Sequence, residues 1–113
     1  MAAHLGGLER HEKTVFSAVR AEGFSLDGRD QVLVCGIEAH VCVQQTAQDL
    51  LDAGVEVHVA ADAVTSRTAL NRRLGLEKMQ GSGAVVTSTE MALFELVERA
   101  GTPEFKAIQA LIR

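Results

Sequence analysis

Gly36-Ile37-Glu38-Ala39-His40-Val41-Cys42-Val43 follows directly on the apolar run Gln31-Val32-Leu33-Val34-Cys35. The run reads as a β-strand, and the residues after it as the start of a helix continuing through Gln44 to about Ala53. This junction puts Cys42 on the first helical turn beyond a strand end. Helix N-termini carry unpaired backbone N–H groups and a partial positive charge. Such an environment favours thiolate over thiol, and thiolate is the nucleophilic form. Neighbouring N–H groups can also hold the oxyanion that forms when sulfur attacks a carbonyl.

Working outward, strands and helices alternate. Val32 to Ile37 is a near-continuous apolar run, the pattern of a parallel strand covered on both faces. The next helix should bury Val43, Ala47, Leu50 and Leu51, with Gly54 at its C′ position. Val55 to Ala61 forms a second strand, Asp62 to Arg67 a loop, and Thr68 to Gln80 a helix. After Gly81-Ser82-Gly83 comes a third strand, Ala84 to Thr87. Thr87-Ser88-Thr89-Glu90 matches a capping box before a helix expected to bury Leu93, Leu96 and Val97. Pro103 suits the first turn of a last helix, with Phe105, Ile108 and Ile112 as its apolar stripe. Residues 1–12 are irregular, and Lys13 to Leu26 is mixed, with a short helical turn. The alternation predicts one α/β domain over residues 1–113: a Rossmann-like parallel sheet with flanking helices and right-handed crossovers. In such sheets ligands bind beyond the carboxyl ends of the strands, where Cys42, Asp62 and Ser88 are expected.

Composition narrows the function classes. At 113 residues and 47% hydrophobic content, the chain can bury a core. A net charge of -4 without a basic cluster argues against nucleic acid or an anionic membrane as partner. No apolar run suggests a membrane span, and the start lacks the pattern of a signal peptide. Two cysteines without a metal-ligand spacing read as free thiols, so a cytoplasmic setting is expected.

Four segments resemble the isochorismatase-like cysteine hydrolases, and within them the isochorismatase domain-containing proteins. They are Glu12-Lys13-Thr14-Val15-Phe16-Ser17, Leu33 to Val43, Val59 to Arg67, and Gly83 to Ser88, in the family's order and spacing. The resemblance implies a Rossmann-like fold and an Asp–Lys–Cys triad, with Cys42 as nucleophile and Lys13 as the triad lysine. It implies attack on a small amide or related carbonyl substrate, through a thioester that water then cleaves. It also implies a non-proline cis peptide at Ile37–Glu38, turning the N–H groups of Glu38 and Cys42 toward the oxyanion. No cofactor and no metal are expected.

The family's aspartate lies at the end of a first strand near its N-terminus. Only Glu9 and Glu12 are acidic before Lys13, and no strand precedes it. The reading is therefore of a C-terminal portion, without the family's N-terminal strands and with weakened catalysis. A noncatalytic remnant with a structural or partner-binding role is one alternative, and a thiol-based small-ligand or redox module another. Loss of a strand beside Val32 to Ile37 would expose a sheet edge, so a homo-oligomer is expected. Cys35, inside the strand, reads as a buried hydrophobe. His40 lies two residues before Cys42 and does not share its helix face, so it reads as a pocket-edge group rather than a dyad partner. Asp62 is a second pocket-edge candidate, read first as a residue fixing its own loop from Ala63 to Ser66.

Overall fold

The computed structural model describes residues 15–21, 23–97 and 100–112. Its sheet has three parallel strands in the order β1, β2, β3: Gln31–Ile37, Glu56–Thr65 and Val85–Thr87. Among the described residues the helices of more than five residues are α1 (Gln44–Asp52), α2 (Ala69–Gly81), α3 (Thr89–Val97) and α4 (Pro103–Ile112). A π-helical turn, Ala39–Val43, precedes α1. This is the α/β class that the alternation predicts.

Local chemistry explains the boundaries. The α1 helix ends in a Schellman arrangement, with Gly54 at φ 82° and the Val55 N–H donating to the Leu50 carbonyl at 3.0 Å. Thr68 caps α2 by accepting the Asn71 N–H at 3.2 Å. Ser88 caps α3 through the Met91 N–H at 3.1 Å. Thr87 takes no part in that cap, and its hydroxyl is buried with no hydrogen-bond partner among the described residues.

The core lies between the sheet and α1 with α2. It contains Val34, Val57 and Val59 from the strands, Val43, Ala47 and Leu50 from the first helical segment, and Met79 from α2. Leu51 is only partly buried against it. The other face is thinly covered, and here two expectations are corrected. Only Val34 of β1 is buried, whereas Leu33, Cys35 and Ile37 alternate to the open side. Cys35 is thus exposed rather than buried, because the face it points to has no helix over it among the described residues. None of α3's residues is fully buried either, and Leu96 is 78% exposed. The α3 helix lies beside β2, and a groove of about 600 Å³ opens between it and β1, lined by Leu33, His58, Ala92 and Leu96 among others.

The second strand runs to Thr65, beyond the expected end at Ala61. Its pairing with β1 explains why the sequence reads as a loop there. Val34 pairs with Val59, but Gly36 pairs with Val64, so four residues of β2 stand against Cys35 alone. Gly36 accommodates the irregularity at φ 108°, a conformation side chains disfavour. The strands realign at their last rung, Ile37 opposite Thr65.

Candidate active site

The turn bearing Cys42 starts where β1 stops. The Ile37–Glu38 peptide bond is cis. Glu38 is extended, at φ -91° and ψ 144°, and its carbonyl accepts two N–H groups, from Val41 at 3.1 Å and Val43 at 3.2 Å. The second of these is the five-residue spacing of a π-turn. Cys42 sits on this widened turn and is half-buried. Ala39 beside it is fully buried against α2, where Gly75 leaves room for no more than a hydrogen.

His40 contacts residues from both strand ends. Its Nδ1 shares a 2.9 Å hydrogen bond with the Ser66 hydroxyl, and its Nε2 lies 3.5 Å from Glu38 Oε2. Arg67 Nε in turn forms an ion pair with Glu38 Oε1 at 2.8 Å. Glu38 is thus held by side chains from both strand ends. Sequence reasoning missed Ser66, Arg67 and Gly75. A glycine inside a helical pattern is the one local signal of a close approach.

Asp62 departs from its expected role. The bulge in β2 carries it toward α3, where it accepts the Thr89 N–H at 2.8 Å and the Thr89 hydroxyl at 3.0 Å. Its chief partner is therefore the start of α3, with a lesser bond to its own backbone. The Thr89 N–H bond is the main cause holding its carboxyl below the usual carboxylate range, with the Thr89 hydroxyl and the Arg72 charge acting the same way. Arg72 closes the bulge by donating to the carbonyls of Ala61 and Val64.

Lys13 lies outside the described residues. The neighbouring segment is fastened to α1: the Ala18 N–H donates to Thr46 Oγ1 at 2.8 Å, and Arg20 grips Asp49 through two hydrogen bonds. Among the described residues no group of three or more His, Cys, Asp or Glu is arranged to hold a metal. The open groove is a separate feature, since none of its lining residues belongs to the Cys42 turn.

Residues 9–91 match the model of the isochorismatase domain. A secreted isochorismatase effector, Isc1, from Phytophthora sojae is 56% identical over 85 residues, covering 75% of this chain and 40% of the relative. Isochorismatase domain-containing protein 2 from Bos taurus is 46% identical over 110 residues, covering 95% of this chain and 54% of the relative. Among solved structures, the MAR1 ribonuclease from Caenorhabditis elegans aligns with a TM-score of 0.78 at 40% identity, covering 88% of this chain and 53% of that one. A pyrazinamidase/nicotinamidase from Streptococcus mutans aligns at 0.65 and 27% identity, covering 76% and 52%. The chain spans about half the length of the curated relatives it matches. The chain belongs to the isochorismatase family.

Proposed function

We propose that this chain carries the nucleophile half of an isochorismatase-like cysteine hydrolase acting on a small amide or related carbonyl compound. The observation that supports it most is the placement of Cys42 on the first turn past the carboxyl end of β1, the edge where open α/β sheets bind ligands. Likeness to a pyrazinamidase/nicotinamidase points toward an amide.

In this reading the Cys42 thiolate attacks the carbonyl carbon. A C–S bond forms, and the oxyanion is met by backbone N–H groups of Glu38 and Cys42. The C–N bond then breaks, and the amine leaves with a proton. Water cleaves the thioester, releasing the acid and regenerating the thiol. Lys13 is assigned beside the thiol, where its ammonium favours thiolate. His40 borders the pocket, while Asp62 acts through the start of α3. The reading requires no cofactor, and treats residues 1–113 as one unit. A cytoplasmic setting is part of it, although one relative is named as secreted.

The name of the C. elegans relative includes ribonuclease, which offers a second reading. The net charge of -4 opposes binding to a phosphate backbone, so amide hydrolysis is preferred. An assay of nicotinamide and related amides beside a short RNA, with Cys42→Ala as control, separates the two. Cys42-dependent ammonia release supports the amide reading, whereas Cys42-dependent RNA cleavage replaces it.

We further propose self-association through β1. Among the described residues this strand pairs only with β2, and its Leu33 and Ile37 are 48% and 66% exposed. An apolar edge with unpaired backbone groups pairs readily with another strand.

A further inference from the structure

We propose that Ser66 and Arg67 are positioning residues for the Cys42 turn, clamping His40 and Glu38 so that the nucleophile keeps its orientation. This inference rests on the reading of Cys42 as nucleophile.

The clamp follows from the strand register. Ile37 and Thr65 form the last rung between β1 and β2. The residues that follow each of them meet across the strand ends. Arg67 holds one oxygen of the Glu38 carboxylate at 2.8 Å, and His40 Nε2 lies 3.5 Å from the other. The second ring nitrogen of His40 bonds Ser66 at 2.9 Å. Ser66 and Arg67 are adjacent in the chain, and Glu38 and His40 are two apart, so the contacts close a ring. Glu38 is also the residue whose carbonyl anchors the π-turn through Val41 and Val43. Fixing its side chain therefore restrains the turn on which Cys42 rides.

Magnitudes separate positioning from plain stabilisation. The Arg67 side chain is 86% exposed, and ion pairs of that kind add little to folding stability. Loosening the turn, in contrast, changes the immediate surroundings of the Cys42 sulfur, and those surroundings set how fast a thiol is alkylated. The clamp should thus be visible in Cys42 chemistry far more than in melting temperature.

The test uses the full chain with Cys35→Ser, so that Cys42 is the sole thiol. The rate of iodoacetamide alkylation at neutral pH is compared for this parent and for Ser66→Ala, Ser66→Thr, Arg67→Ala and Arg67→Lys. We expect both alanine variants to slow Cys42 by at least about threefold, with circular dichroism and melting temperature nearly unchanged. Ser66→Thr keeps the hydroxyl and Arg67→Lys the cation, so each should recover most of the rate. Where a variant melts early, His40→Gln supplies the check, because its amide can still bond Ser66 and should also hold most of the rate. Alanine variants that react as fast as the parent, or faster, overturn the proposal. Equal losses in Ser66→Thr and Ser66→Ala overturn it too. A parent whose folded Cys42 reacts no faster than it does unfolded removes the underlying reading instead, and the comparison of folded with unfolded parent identifies that case.

Discussion

Gly75 on α2 faces Ala39 on the Cys42 turn so closely that a Cβ at position 75 would lie 2.7 Å from the Ala39 carbonyl oxygen. The obstructing atom is backbone, not the end of a flexible side chain, so α2 and the turn would have to part. The same helix supplies Met79 to the core and Arg72 to the bulge, so its seating reaches both the core and the site.

Gly75→Ala should therefore destabilise despite placing a better helix former in a helix. The propensity gain is up to about 1 kcal/mol, whereas overpacking costs about 1–3 kcal/mol. A lower melting temperature and slower Cys42 alkylation are the expected outcomes. A variant that is more stable than the parent would show that the contact relaxes freely.

Asp62→Asn should lower stability at neutral pH by weakening the hold on α3. The sign of the pH dependence is fixed by the direction of the shift. A carboxyl held below its unfolded value stabilises the fold above that value, about 3.9 for aspartate. This contribution fades as pH falls through the lower folded value. Thermal melts across the acid range should thus show the gap between parent and variant closing toward low pH. A gap that widens on acidification would contradict the assignment.

Replacing Ile37 by lysine tests the edge of β1. A charge at this exposed apolar position opposes strand pairing between copies. Light scattering at matched concentrations should show larger assemblies for the parent and smaller ones for Ile37→Lys. A parent that is monomeric at roughly tens of micromolar, where an exposed apolar edge should pair, would remove the self-association proposal.

Lys13→Ala probes a residue that the sequence motif assigns and the described residues do not include. If the ammonium lies beside Cys42, its loss should slow alkylation at neutral pH severalfold, with little change in melting temperature. An unchanged rate would take Lys13 out of the site.

The parts of the fold written in local chemistry were legible in the sequence. Gly54 ends α1, Thr68 opens α2, and the spacing of Val43, Ala47 and Leu50 marks one buried face. What depends on partners distant in the chain was not legible. Cys35 sits in an apolar run, yet it is exposed because nothing among the described residues covers its face. Asp62-Ala63-Val64-Thr65 reads as a loop, and only the pairing of Val64 and Thr65 with β1 carries β2 past the bulge that delivers Asp62 to Thr89. The Glu38–Arg67 ion pair joins two strand ends 29 positions apart in sequence, with no local pattern to announce it.

A catalytic Cys42 must be activated by folding. In the Cys35→Ser chain, its iodoacetamide rate should be measured folded and denatured at the same neutral pH, each normalised to a cysteine peptide in the same solvent. Half-burial alone would slow a thiol relative to the unfolded chain. A nucleophile at the head of a helical turn should instead react faster when folded. A faster folded rate is the predicted result, and a folded rate equal to or below the denatured one would contradict the assignment of Cys42 as nucleophile.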